Sequence, residues 1–170
     1  MFPRASGRCL DERWIKVQGM STITGEGNDK PQKQIELKFS WIPGPFAICR
    51  LPGNAPLPEW AWAGPFTSAT RTADELSIVC HGDNVPPGVK AEAHWMCFKI
   101  EGPFAFSQVG ILASFINPLV RNGVPIFAIS TYDTDYVLVS EEFAGVTLKA
   151  LQDAGHELWP KHESWRKLIE

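Results

Sequence analysis

The sequence predicts an α+β fold made of two copies of one βαββαβ unit, with helices covering one face of the sheets. Two observations lead there. The chain repeats itself: Gly-Pro-Phe occurs at 44–46 and again at 102–104, and FTSATRTADELSIVC (66–80) lies against IFAISTYDTDYVLVS (126–140). Each of those segments is an apolar strand, a polar acid-bearing turn and a second apolar strand. The second observation is periodicity, because apolar residues after Trp95 switch between strand-like and helix-like spacing. Each copy spans about sixty residues, small for independent stability, so the two are expected to pack together.

Residues 1–34 do not share this pattern. Ser21 to Gln34 is polar, Gly-bearing and nearly without large apolar residues, which predicts a flexible lead-in. Met20 opens that segment and is a candidate first residue, leaving 1–19 as an extension with no structural role. The first unit is placed at 35–96, the second at 97–159 and a C-terminal tail at 160–170.

In the first unit the strands are expected at Phe46–Leu51, Phe66–Arg71, Leu76–Cys80 and Trp95–Glu101. Its first helix falls on PGNAPLPEWAWA (52–63), where three prolines allow only a turn or so. Its second falls on 83–93, which carries Pro86, Pro87 and Gly88 and reads mostly as loop. The first unit therefore has degraded helices.

The second unit opens with a strand at Trp95–Gly102. Ser107 is the expected N-cap of its first helix, with Phe106 and Ile111 spaced as a hydrophobic staple. Val109, Leu112, Phe115, Ile116, Leu119 and Val120 fall on one helical face. Gly123 stands where a glycine stops a helix. Pro118 predicts a kink or an early end. Pro125–Thr131 and Asp135–Val139 read as paired strands. Ser140, followed by Glu141 and Glu142, starts a second helix with Phe143, Val146, Ala150, Leu151 and Ala154 inward. Gly155 ends it, and His156–Trp159 supplies the last strand.

The chain has 170 residues, 44% hydrophobic and 21% charged, with a net charge of −3. That is the range of globular domains, and no Lys/Arg cluster is dense enough to follow a phosphate backbone, so nucleic acid is not an expected partner. No apolar run reaches the roughly 18 residues of a membrane span, and MFPRASGRCLDERW lacks a signal-peptide core. Cys9, Cys49, Cys80 and Cys97 form no CxxC pair, and the last three sit in apolar runs as free buried thiols. A cytoplasmic protein is expected.

At this point FAICRLP (46–52), FTSATRTADELSIVC (66–80), FKIEGPF (98–104) and VGILASF…IFAISTYDTDYVLV (109–139) resemble the ACT-domain family of amino-acid-binding regulatory modules. The match is closest to proteins with two ACT units in tandem, which include aspartate-kinase-like proteins and eukaryotic cytosolic arginine sensors. The resemblance covers about residues 35–157. It implies two ferredoxin-like units whose sheets associate side by side, usually in a homodimer. It also implies a ligand site between units, at the first-strand-to-helix loop of one and the second-strand edge of the other. The proline-broken helix of the first unit departs from the pattern, so one site per chain is expected.

The first N–H groups of a helix have no intrahelical partner and attract anions. An amino-acid carboxylate is therefore expected on the N–H groups of Val109, Gly110 and Ile111, with Ser107 capping. The plain alternative is that Ser107 only caps and Gly110 only lets the helix pack. The segment Ser130, Thr131, Tyr132, Asp133, Thr134, Asp135 supplies the other wall. Asp133 suits a hairpin turn. Asp135, opening an otherwise apolar strand, is the better candidate for a ligand ammonium or guanidinium. By the family motif, Thr131 and Asp135 match ligand-contacting positions.

No zinc pattern arises from His81, His94, His156 and His162, and His81 with Asp83 falls short of one. No nucleophile elbow, nucleotide-binding glycine motif or catalytic lysine is present, so no catalytic residue, metal or cofactor is expected. Trp60 and Trp62 are read as fillers for a core that broken helices cannot fill. The expected function is a non-enzymatic amino-acid sensor, a homodimer with a regulatory protein partner. Two alternatives stay open: the regulatory subunit or remnant of an amino-acid-biosynthetic enzyme such as aspartate kinase, and a purely structural interaction module.

Overall fold

Pro43, Gly44 and Pro45 look like a chain break, yet they lie inside the longest strand. In the computed structural model, which describes residues 35–160, β1 runs from Lys38 to Leu51. Prolines cannot donate to a ladder, and Gly44 takes φ +112, so β1 bulges here instead of ending. Against β4 (Lys90–Ile100) the register moves from Ile42↔Cys97 to Phe46↔Trp95. The expected lead-in at 1–34 lies outside the described residues, as does the expected tail after Pro160.

β2 (Ser68–Arg71) and β3 (Leu76–His81) complete the first unit's strands. The second unit adds α1 (Ile111–Arg121), β5 (Ile126–Ser130), β6 (Asp135–Ser140), α2 (Ala144–Asp153) and β7 (Glu157–Leu158). The strands of the two ferredoxin-like units form one sheet in the order β2-β3-β1-β4-β6-β5, with β7 also on β1. β1 joins the two halves. Its C-terminal half pairs antiparallel with β3, and its N-terminal half pairs parallel with β7 through Lys38↔Glu157 and Phe39↔Leu158.

Both faces of the central strands are covered, which explains their nearly continuous apolar runs. Phe98, Ile100, Val137 and Val139 point to the helix side, where they meet Phe39, Phe115, Leu119, Leu148 and Leu151. Cys97 and Leu138 alternate to the opposite side with Phe46 and Val79. Among the described residues no helix packs on that side. Phe66, just before β2, instead meets Tyr136 of β6 at 4.4 Å between ring centroids. β2 and β6 stand four places apart, about 19 Å in a flat sheet, so the sheet curls onto itself. In the first unit the expected helices are a 3-10 turn at Glu59–Trp62 and another at Gly82–Asn84. Trp60 packs there against the cluster of Cys49, Ala61, Ile78 and Cys80, whereas Trp62 is largely exposed.

Several sequence expectations are corrected. α1 starts at Ile111, and its N-cap is Gly110 at φ +87, not Ser107. A left-handed glycine cannot continue a helix backward, so residues 105–108 form a separate turn, with Gln108 N–H donating to the Ala105 carbonyl. Phe106 is 81% and Val109 87% exposed, so no staple forms and Val109 does not face inward. Val120 and Val146 also point outward. β4 begins at Lys90, inside the stretch expected as loop.

Pro118 does not end α1 early, since the helix continues to Arg121. Both helices close on glycine as expected, each in a Schellman motif. Val124 and Gly123 donate to Leu119 and Val120, and His156 and Gly155 donate to Leu151 and Gln152.

Candidate functional site

The turn between β5 and β6 is closed by Thr131, whose N–H and Oγ1 both donate to the Thr134 carbonyl at 2.8 Å. Thr134 is buried, and its Oγ1 donates to the Ile100 carbonyl, fixing the turn to the end of β4. Phe104 N–H donates to the Asp133 carbonyl at 2.9 Å. These bonds bring the turn against the segment that leads into α1. The approach depends on Gly102, where a Cβ would stand 2.6 Å from the Asp133 oxygen.

Between this turn and the first turns of α1 lies a cleft of about 530 Å³. Gly110 and Ile111 line one wall, and Ser130, Thr131, Tyr132, Asp133 and Asp135 line the other. Ser107 and Val109 are exposed and are not among its lining residues. Both walls belong to the second unit. The first intrahelical bond of α1 runs from Ser114 N–H to the Gly110 carbonyl. The N–H groups of Ile111, Leu112 and Ala113 precede it and have no carbonyl one turn back to bond.

Asp135 is half-buried and pairs in register with Ser130, whose Oγ donates to its carboxylate. Asp133 is exposed. No lysine or arginine is among the lining residues, so the strand wall carries negative charge. The floor is apolar: Phe104, Ile111, Leu112 and Ile116 are each half-buried against the core. Phe106 and Tyr132 meet edge to face at 5.2 Å at the mouth, both about four-fifths exposed. The arrangement provides backbone donors at one end, carboxylates at the other and an apolar floor between.

Leu112 and Ile116 were legible only as core positions, and Phe104 only as part of the repeated Gly-Pro-Phe. Their contribution to a cleft depends on how α1 is set against the β5–β6 turn. None of the three described thiols lines the cleft. Burial pushes the Cys97 thiol up to about 12, and the hydrogen bond with Cys49 together with burial raises Cys80 further. Among the described residues no cluster of three or more His, Cys, Asp or Glu can hold a metal ion, and no helix is long and apolar enough to cross a membrane.

Residues 90–153 match the family model described as ACT domain, and residues 44–88 match a separate model described as an N-terminal domain. A solved structure of an Agobacterium tumefaciens protein is 43% identical, covering 76% of this chain and 96% of that one with a TM-score of 0.71. A curated relative, the Bos taurus cytosolic arginine sensor for mTORC1 subunit 1, is 29% identical over 97 residues. That alignment takes in 51% of this chain but only 30% of the relative's length. Clostridium acetobutylicum aspartate kinase shares the fold at a TM-score of 0.52 and 11% identity, over 68% of this chain and 34% of the kinase.

Proposed function

Because this chain belongs to the ACT-domain family of regulatory modules, we propose that it is a non-enzymatic, cytoplasmic sensor of a free amino acid, bound in the cleft between α1 and the β5–β6 turn. One observation carries the reading: a single cleft is lined by both the amide-bearing first turn of α1 and the carboxylate of Asp135. A zwitterion needs both ends. Its carboxylate would take the N–H groups of Ile111 and its neighbours, gaining from the helix dipole. Its ammonium, or a cationic side chain, would take Asp135.

The apolar mouth supports a second element of the proposal. Phe106, Val109 and Tyr132 are exposed together beside the cleft, a patch of the kind that marks an interface. A second copy closing over it would set the ligand between ACT units and allow Ser107 and Val109 to contribute. Ligand binding would then favour the closed arrangement by its differential affinity for it.

The test is a thermal-shift screen of the protein against the standard amino acids, with calorimetry on each hit. Ligand at 100 times its dissociation constant adds about 2.7 kcal/mol, several degrees for a domain of this size. A selective shift that disappears in Asp135→Ala supports the proposal. The absence of a shift with every amino acid, or an undiminished shift in Asp135→Ala, refutes this site.

A further inference from the structure

Pro118 has no N–H, so the carbonyl of Ser114, one turn earlier in α1, loses its helical partner. That carbonyl is not left bare. The ring of His156, only 4% exposed, places Nε2 at 3.0 Å from it. The other ring nitrogen, Nδ1, lies 3.2 Å from the backbone nitrogen of Leu37. A carbonyl can only accept and a backbone N–H can only donate. His156 must therefore be neutral, with its proton on Nε2 and a bare Nδ1. The Schellman turn at Gly155 delivers the ring to this position, and the Phe115 ring lies 5.7 Å away.

We propose that His156 is a proton-operated latch that holds α1 and the β7 end of the chain to the entry of β1, and that one added proton opens it. A second ring proton has only Nδ1 to occupy, where it would face the Leu37 N–H. The charged ring cannot keep that bond. Leu37 is followed by the Lys38↔Glu157 and Phe39↔Leu158 pairs, so the short β1–β7 ladder is loosened next.

The groups around the ring settle the direction. Burial disfavours the imidazolium, while the Ser114 carbonyl and the carboxylate of Glu36, on the segment entering β1, act the other way; the balance lowers the affinity for the proton. From α2, Asp153 is engaged with Lys149. On β7, Glu157 follows His156 and stands opposite Lys38. From α1 the Ser114 carbonyl and the Phe115 ring face the histidine. A histidine lowered in the folded state contributes stability that is complete above its unfolded value, about 6.5. That contribution is lost as pH falls from there through the folded value. The open fraction rises up to tenfold for each pH unit in that window. Ser114 lies beside Ala113, which lines the cleft, so the latch also regulates ligand capture if the cleft is the ligand site; that consequence alone rests on the proposed function.

The test needs no ligand. The His156 Cε1–H resonance and the exchange rate of the Leu37 amide are followed by NMR from pH 7.5 to 4.5. The latch requires a histidine that titrates below 6.5 and a Leu37 amide whose protection falls with the same midpoint, after correction for intrinsic exchange. A His156 midpoint at or above 6.5, or Leu37 protection that does not change through the titration, overturns it. His156→Gln, which keeps one donor and one acceptor but cannot be charged, should abolish the acid dependence of Leu37 exchange. Retention of that dependence in a folded variant also overturns the latch. Because the parent protein carries the main readout, the inference remains testable if His156→Gln does not fold.

Discussion

Gly102→Ala tests whether the cleft depends on close backbone approach. The added Cβ would lie 2.6 Å from the Asp133 carbonyl oxygen, 3.2 Å from Phe104 N and 3.3 Å from Thr134 Cβ. Reaching ordinary contact at 3.4 Å requires a retreat of 0.8 Å (3.4 minus 2.6). The atom in the way is backbone, held by the Phe104 N–H bond of 2.9 Å and, through Thr134, by the bond to the Ile100 carbonyl. A shift of that size stretches the Phe104 bond past the roughly 3.2 Å limit of a sound hydrogen bond. Overpacking of this kind costs about 1–3 kcal/mol, and the stiffer unfolded chain of alanine returns about 0.4–1. At mid-range values, about 2 less about 0.7, the net loss is about 1 kcal/mol, which lowers Tm by about 2–4 °C. Differential scanning fluorimetry measures the shift, and calorimetry with any amino acid that stabilises the parent measures whether the proposed site is lost with it. Gly123→Ala is the comparison: its Cβ meets nothing within 4 Å, although φ is +68, so it carries left-handed strain and no clash. A Gly102→Ala protein that melts with the parent and binds as well would refute the close-approach argument.

His94 takes φ 65 within β4, where Ala93 and His94 together oppose Ala47 of β1 in a bulge. His94→Val should therefore destabilise by about 1–2 kcal/mol despite valine's preference for strands, because a β-branched residue pays the left-handed penalty in full; urea denaturation would detect it, and a neutral result would discount the strain. Phe115 is fully buried, 5.4 Å from the Phe39 ring, so Phe115→Ala should lose about 3–5 kcal/mol, read by the same titration. Asp135→Ala removes a carboxylate that accepts a hydrogen bond from the exposed Ser130 and should change stability by about 0.5 kcal/mol or less; a larger change would assign Asp135 a structural role. Chemical denaturation of the parent should show stability falling as pH drops below about 6.5, the sign required by a histidine whose affinity for the proton is lowered on folding.

Which features were legible in the sequence follows from how local their causes are. Gly123 and Gly155 announce helix ends because a Schellman turn is decided within six residues, and both turns form. The strands of the second unit were legible because burial on both faces leaves unbroken apolar runs. The first half of β1 was not legible, since Pro43 and Gly44 resemble a break until β4 is present to accommodate the bulge. Ser107 was misplaced as a cap because the choice between it and Gly110 turns on a φ of +87 that composition does not reveal.

Pro118 shows the limit most directly. Its lost hydrogen bond is a sound local inference and predicts a damaged helix. The repair comes from His156, 42 residues away, through a ring nitrogen that reaches the orphaned Ser114 carbonyl. Sequence alone presented the proline as a fault and the histidine as the first residue of the last strand, which in fact begins at Glu157. The two are halves of one interaction. A proline at this position makes α1 depend on a group whose hydrogen-bonding capacity changes with pH, whereas an N–H in its place would have made the helix self-sufficient. Replacing Pro118 with alanine should therefore restore the internal bond to Ser114 and compete with His156 for a carbonyl that favours the protonated ring. The folded-state affinity for the proton then falls further and the acid sensitivity of stability steepens. A Pro118→Ala protein with the parent's pH dependence would show that the Ser114 carbonyl does not bear on the histidine's linkage.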